Sequence, residues 1–182
     1  MSGSNVFDIH TAKLWKDENF NLLAQSSPGN PLAPTIGTLP GTSIDIALFA
    51  ASGITEVSSV FELNHDYIEG TVIKPHWHWY PINANAGNVR LSFEYWASRN
   101  GVTKTGILSA TSAASEVSYG GVYAALGEID LEEIAIIGTQ MHFRAYRDGD
   151  NAADTYGSNI ASATLGVHYL TNSRGSRQEA IK

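Results

Sequence analysis

The sequence predicts an all-β domain: an antiparallel two-sheet sandwich, jelly-roll-like, with about eight strands and an extended N-terminal arm. Apolar runs of strand length recur from residue 43 onward, and turn residues separate them. No run has the length and the 3.6-residue period of a convincing helix. The 17 glycines supply the many turns that such a fold needs.

Residues 1–42 are predicted to form the arm. Four prolines between residues 28 and 40 oppose both a long helix and a central strand. The segment is nevertheless too apolar for a solvated tail, so we expect it to lie on its own domain or on a neighbour. A partly disordered leader is the alternative. The arm residues expected at an oligomer or partner interface are Val6, Phe7, Trp15 and Phe20.

The β-sandwich is predicted to span residues 43–172, and a polar tail follows at 173–182. Alternation of apolar and polar side chains is clearest in residues 89–96 and 140–146. The turn-rich segment 83–88 predicts a hairpin between the third and fourth strands. The predicted strands cover residues 43–51, 55–63, 71–80, 89–96, 103–110, 122–126, 134–146 and 160–170.

The stretch from residue 62 to residue 81 holds three of the six histidines and two of the four tryptophans. Alternate side chains of a strand point to opposite faces. One face of this strand carries His76, His78 and Tyr80, and the other carries Trp77 and Trp79. We expect one face to pack into the core and the other to meet a ligand, a metal or a neighbouring subunit.

The pair His76 and His78 is the candidate metal site. Imidazoles two residues apart on a strand can share an ion, and three copies around a three-fold axis would present six nitrogens to a divalent metal. The competing interpretation is structural, with His76, His78 and Tyr80 packed at an oligomer interface. The spacing identifies no third ligand.

Three tryptophans are candidate glycan-stacking residues. Trp77, Trp79 and Trp96 concentrate aromatic area across the predicted hairpin, and aromatic rings can stack on sugars. Packing of these rings across strands of the core is the competing interpretation.

Catalysis is not predicted. The chain has no cysteine, no nucleophile elbow and no glycine-rich phosphate loop. We expect no catalytic residues and no cofactor other than a divalent metal at an interface. The minor alternative is a metal-dependent cupin-like enzyme, which would gather His76, His78, a carboxylate and His142 around one cavity.

Composition restricts the partners. Charged residues make up 16 % of the chain, whereas roughly a quarter is usual, and this favours a homo-oligomer. A net charge of -7 with eleven scattered Lys and Arg argues against nucleic acid as a partner.

No apolar stretch reaches the ~20 residues of a membrane span. The first residues do not resemble a secretion signal, so we expect synthesis in the cytoplasm.

A pattern within residues 55–100 resembles one found in small virion proteins of tailed bacteriophages. It reads Glu62-x-x-His65-Asp66-Tyr67-x-Glu69-Gly70-Thr71-x-Ile73-x-Pro75-His76-x-His78-Trp79, and Gly87-Asn88-Val89 and Phe93-Glu94-Tyr95 follow it. The resemblance implies a jelly-roll-like domain that assembles on the virion, as a trimer, with the major capsid protein or other virion proteins as partners. A capsid cement or decoration subunit is the first expectation. A tail knob or fibre tip that binds a host surface glycan is the second.

Overall fold

The computed structural model describes residues 13–21, 31–39 and 41–171. Across these residues the chain forms two antiparallel sheets and one short 3₁₀-helix, and the predicted all-β sandwich is confirmed. The described residues contain ten strands, whereas the sequence predicts about eight. The strands are β1 (Leu14–Asn21), β2 (Thr35–Thr38), β3 (Asp45–Phe49), β4 (Ile54–Glu62), β5 (Lys74–Pro81), β6 (Asn88–Arg99), β7 (Val102–Ala113), β8 (Val122–Ala125), β9 (Gln140–Asp148) and β10 (Ile160–Thr171), and the 3₁₀-helix is Glu132–Ile134.

The strand β10 is central to the larger, six-stranded sheet. The order of this sheet is β2-β3-β10-β5-β8, and β1 also pairs with β10. On the edge of β10 opposite β5, β3 pairs with residues 160–162 and β1 pairs with residues 164–171. The smaller sheet has the order β4-β9-β6-β7. Each sheet therefore has one face toward the other sheet and one face toward solvent.

The core lies between the inner faces of the two sheets. Met141 and Phe143 of β9 are buried, as the alternating pattern of this strand predicts. Phe143 stacks on Phe93 of β6 with 4.9 Å between ring centroids. From the larger sheet, Trp77 contacts Phe49 edge-on at 5.0 Å. Aromatic side chains from both sheets thus fill the space between them.

The predicted hairpin between the third and fourth strands is wrong. β5 lies between β10 and β8 in the larger sheet, and β6 lies between β9 and β7 in the smaller one. The turn-rich connection therefore crosses from one sheet to the other. Tyr156 holds the crossing, because its hydroxyl group accepts a hydrogen bond from the Asn83 backbone N–H and donates one to the Asn83 side-chain oxygen. A Cβ atom at Gly87 would lie 2.7 Å from Tyr156 Cα, so this close approach requires glycine.

Two strands of the larger sheet, β1 and β2, lie within the segment 1–42 that the sequence assigns to an arm. Phe20 of β1 is buried against Phe61 and Phe143, with centroid distances of 5.4 and 4.8 Å. The expectation that Phe20 contacts a partner is therefore wrong, because its ring belongs to the core of its own chain. Trp15 is 51 % exposed. The predicted interface residues Val6 and Phe7 and the predicted tail 173–182 lie outside the described residues.

A fully buried ion pair anchors the loop between β9 and β10. The Arg147 guanidinium group donates two hydrogen bonds to the Asp154 carboxylate, at 2.9 and 2.8 Å. It also donates to the backbone oxygens of Phe49, Tyr156 and Ser158. Because the buried charge is paired and its donors are used, the arrangement fixes the loop against the end of β3.

Candidate metal centre on the outer face of the larger sheet

Three neighbouring strands bring polar side chains together on the outer face of the larger sheet. The register places Asp17 of β1 opposite His168 of β10. It also places His76 of β5 opposite Gly166, two residues before His168 on β10. Side chains two residues apart on a strand share a face, so the three polar side chains converge. We call this group the Asp17–His76–His168 cluster.

The ligand atoms of the cluster lie close to one another. His76 Nε2 is 3.6 Å from Asp17 Oδ1, and His168 Nε2 is 3.8 Å from Asp17 Oδ2. The two imidazole rings stack with 4.1 Å between centroids and 22° between planes. One nitrogen or oxygen of each residue lies within 4.8 Å of those of the other two. Two imidazole nitrogens and a carboxylate oxygen are a donor set that suits zinc and related divalent metals.

His76 is buried although it lies on the outer face. Its side chain is 1 % exposed, because the Tyr123 ring stacks on one side at 5.3 Å and His168 covers the other. Neither ring nitrogen of His76 makes a hydrogen bond of ordinary geometry among the described residues, although the Lys74 backbone lies near enough to raise the pKa of His76 slightly. A buried polar group without a partner costs free energy, and native proteins seldom leave one in that state. The His76 nitrogens are therefore available to a ligand.

Gly166 makes room for the contact between His76 and Asp17. A Cβ atom at this position would lie 2.7 Å from His76 Nε2 and 2.8 Å from Asp17 Oδ1. Such distances are much shorter than ordinary van der Waals contacts, so any side chain at residue 166 would push the two groups apart. The absence of a side chain at Gly166 thus leaves the space that His76 and Asp17 occupy.

The electrostatics of the cluster favour a neutral His76 imidazole. Burial lowers the pKa of His76 below its ordinary value, and the neighbouring His168 lowers it further. The Asp17 carboxylate opposes this change and raises the pKa, but its effect is smaller. At neutral pH His76 is therefore in the unprotonated form that binds metal ions.

The lysines near the cluster, Lys16 and Lys74, form ion pairs with carboxylates other than that of Asp17. Lys16 pairs with Asp66 at 3.1 Å. Lys74 pairs with Glu128 at 2.6 Å, and its amino group lies over the Trp15 ring at 5.1 Å. Both cations beside the cluster thus have carboxylate partners of their own.

An amide group orients the Asp17 carboxylate. Asn19, two residues along the same strand, donates a hydrogen bond from Nδ2 to Asp17 Oδ2 at 3.1 Å. The other carboxylate oxygen, Oδ1, faces His76. Such outer hydrogen bonds commonly fix the ligands of a metal site.

The predicted pair is only partly brought together. His76, His78 and Tyr80 share the outer face as predicted, and the His78 ring lies 5.2 Å from that of His76, edge-on. His78 is nevertheless not a member of the ligand group, where Asp17 and His168 take the remaining positions. The expectation that His76 contacts another subunit is wrong, because its side chain is covered within its own chain. His78 and Tyr80 are half-buried.

The predicted glycan-stacking set is also divided. Trp77 and Trp79 are fully buried in the core, where their indole N–H groups donate to the hydroxyl groups of Ser162 and Ser112. Neither ring can stack on a sugar, so this expectation is wrong for both residues. Trp96 lies on the outer face of the smaller sheet and is substantially exposed.

The ligand set of a cupin-like enzyme is not assembled. His142 projects from the outer face of the smaller sheet, where its ring lies 5.5 Å from that of Trp96. His76 and His78 project from the outer face of the larger sheet. The two sheets therefore separate the histidines that this alternative requires in one cavity.

A second surface feature surrounds Trp96. An open depression of about 570 Å³ lies on the outer face of the smaller sheet. Arg144, at its side, pairs with Glu94 at 3.1 Å and also with Glu56. We call this surface the Trp96 face; it comprises Val60, Glu94, Trp96, Ile107, His142 and Arg144.

Comparisons with known proteins add no family. The chain matches no protein-family model, and no curated protein matches it significantly. Among the described residues, no helix has the length and apolar character needed to cross a membrane.

Proposed function

We propose that this chain is a structural protein of a bacteriophage virion, most simply a capsid cement or decoration subunit that forms trimers and binds the particle. The Trp96 face is the observation that carries the proposal. The resemblance of residues 62–95 to a pattern of small phage virion proteins is the reason for proposing this class of particle. The trimer is proposed to form as a ring in which the Trp96 face of each copy contacts a different surface of the next copy.

The Trp96 face has the apolar character of an interaction surface. Val60, Trp96 and Ile107 come from three strands of one sheet and are 48 %, 43 % and 59 % exposed. Outward positions of an antiparallel sheet are normally polar when that face meets only water. Large apolar side chains grouped on a flat face therefore favour a protein partner.

The charged groups on this face are paired with one another. Arg144 carries its positive charge between two carboxylates, those of Glu56 and Glu94. A second subunit could cover these groups without leaving an unpaired ion, which would otherwise be costly. The low charge content of the whole chain, 16 %, also agrees with extensive burial in an assembly.

The solution mass tests self-association. We expect light scattering at about 50 μM to give three times the chain mass of 19.6 kDa, with and without EDTA. Trp96→Asp places a charge in the contact and should yield a folded monomer. Val117→Asp is the matched control, because Val117 is 65 % exposed in a loop outside this face, and this variant should remain trimeric. A monomeric wild-type chain, or a trimeric Trp96→Asp chain, would contradict the proposed interface.

Binding to capsids tests the particle. Capsids of a phage that encodes the chain should co-sediment with the purified wild-type protein at a fixed ratio of copies per capsid. Equal sedimentation with capsids of an unrelated phage would show that attachment is unspecific, and no co-sedimentation would refute the cement role.

A glycan-binding tail protein is the second proposal. Trp96 is an exposed ring in a depression that also offers His142, Glu94 and Arg144, which is a suitable combination for stacking and hydrogen bonding a sugar. Tryptophan fluorescence during titration with host surface polysaccharide should change in the wild type and not in Trp96→Phe if this proposal is correct. A silent titration in a protein that is trimeric would favour the cement role.

A further inference from the structure

We infer that Asp17, His76 and His168 bind one divalent transition metal ion, with Zn²⁺ the preferred ion, and that this ion ties β1 to the rest of the larger sheet. The inference is independent of the particle that the chain serves. It rests on three features: the type of ligands, the orphaned nitrogens of His76, and the space above Gly166.

The ligand types point to zinc. Zinc sites with three protein ligands commonly combine imidazole nitrogens with a carboxylate oxygen and leave a fourth position to water. Magnesium and calcium prefer oxygen ligands only, so two histidines select against them. His168 is one-third exposed and gives the fourth position access to solvent.

The buried His76 side chain is the strongest indication that the cluster binds a ligand. A fully buried imidazole with two unpartnered nitrogens needs a compensating interaction. Asp17 Oδ1 is close, at 3.6 Å, but lies beyond hydrogen-bonding distance. A metal ion between the two groups would supply the missing interaction for one nitrogen.

The three ligand atoms lie within 4.8 Å of one another and must move closer together to share one ion. Two ligand atoms of a tetrahedral zinc ion are roughly 3.3 Å apart, since each bond is about 2.0–2.1 Å long. The His76 imidazole lies 3.6 Å from Asp17 Oδ1, and the His168 imidazole lies 3.8 Å from the other oxygen, Oδ2. His76 is fixed by its surroundings, but Asp17 and His168 are each about one-third exposed and can approach it. The stacked rings must also tilt, because a ligated metal lies near the plane of each imidazole.

The surroundings suit a positive ion. Lys16 and Lys74, which are close to cluster residues along β1 and β5, are paired with Asp66 and Glu128. Asn19 orients the Asp17 carboxylate from outside the ligand group. His78 and the Tyr123 ring cover the side of His76 and limit access of water to it.

The location of the cluster gives the ion a structural role. Its three ligands belong to β1, β10 and β5, which are adjacent strands of one sheet. Within the described residues β1 pairs with β10 alone, so an ion shared with β5 adds a second attachment for this strand. Metal binding should therefore protect β1 more than any other strand.

Metal titration tests the site. Full-length protein without a histidine tag is treated with EDTA, exchanged into metal-free buffer at pH 7.5, and titrated with ZnCl₂ by calorimetry, with zinc content measured after dialysis. We expect one Zn²⁺ per chain. Asp17→Asn and His168→Ala should each weaken binding at least tenfold.

Two matched controls separate the cluster from adventitious binding. His142→Ala removes a histidine from the outer face of the other sheet, and Asp45→Asn removes an exposed carboxylate from β3. Both should bind Zn²⁺ as the wild type does. Fewer than about 0.2 Zn²⁺ per chain in the wild type, or unchanged binding by His168→Ala, would overturn the inference.

Hydrogen exchange tests the structural role. Addition of Zn²⁺ should slow exchange of the β1 amides at least fivefold in the wild type and leave it unchanged in Asp17→Asn. The β7 amides, at the edge of the other sheet, are the internal reference and should not respond. Stoichiometric binding without slower exchange in β1 would refute the attachment of this strand by the ion.

Discussion

Replacement of Gly166 by alanine is the most direct probe of the cluster, because it removes no ligand. The added methyl carbon would lie 2.6 Å from His76 Cε1 and 2.7 Å from Nε2, whereas ordinary contacts begin near 3.4 Å. The buried His76 ring must therefore move by roughly 0.7 Å or the strand must shift. Overpacking of this kind costs about 1–3 kcal/mol, and the loss of a flexible glycine from a strand returns about 0.5–1 kcal/mol. We expect a net loss of about 0–2.5 kcal/mol, centred on about 1 kcal/mol.

Urea unfolding in EDTA measures this loss, and a double-mutant cycle assigns its cause. In His76→Ala the imidazole is absent and the partly exposed Asp17 carboxylate can move aside, so the methyl group of Gly166→Ala finds space and the second substitution should cost little. The two changes should thus be non-additive by about 1 kcal/mol or more. Additivity within about 0.5 kcal/mol would refute the steric argument.

A matched glycine provides the control. Gly157 is exposed, and a Cβ atom there would meet no atom within 4 Å. Gly157→Ala should change the free energy of unfolding by less than about 0.5 kcal/mol. Zinc affinity should fall at least tenfold in Gly166→Ala and stay unchanged in Gly157→Ala, because only the first substitution separates His76 from Asp17.

Further predictions concern the core. Arg147→Met should cost about 3–5 kcal/mol in urea unfolding, because it leaves the Asp154 carboxylate buried without its partner; a loss below about 1 kcal/mol would contradict the importance of this ion pair. Phe20→Ala should cost about 3 kcal/mol, whereas Trp15→Ala on the same strand should cost less than about 1 kcal/mol, and equal effects would place β1 outside the core. Trp79→Phe should cost about 1–3 kcal/mol by chemical denaturation, since it removes an indole donor and leaves a gap, and a neutral result would contradict the burial of this ring.

The sequence predicts most strands because their side chains alternate. Apolar and polar side chains alternate in residues 140–146 and 89–96, and both segments form strands of the smaller sheet with one buried face. The same rule correctly separates Trp77 and Trp79 from His76 and His78. β1 escapes this rule because the run Leu14–Asn21 is mostly polar and buries only Phe20 among the side chains described.

Pairing of strands is less accessible from sequence than the strands themselves. The segment 83–88 has the composition of a hairpin turn, yet it connects β5 of the larger sheet to β6 of the smaller one, and Tyr156 holds it in place. The Asp17–His76–His168 cluster also depends on which strands pair and in what register. Asp17 and His168 meet His76 only through the register of three strands, so local spacing could indicate His76 but not its partners.

The pairing of β1 with β10 has a consequence for folding. These are the first and last strands of the described chain, so the central strand of the larger sheet leaves the ribosome after every other described strand. The smaller sheet is complete by residue 148 and can assemble during synthesis. The larger sheet cannot form until β10 has been synthesised. Pairing β1 with β10 closes a long loop before their hydrogen bonds form, and this entropic cost makes folding slow. Until then β5, which carries Trp77 and Trp79, lacks its pairing with β10, and we expect the nascent chain to be prone to aggregation at this stage.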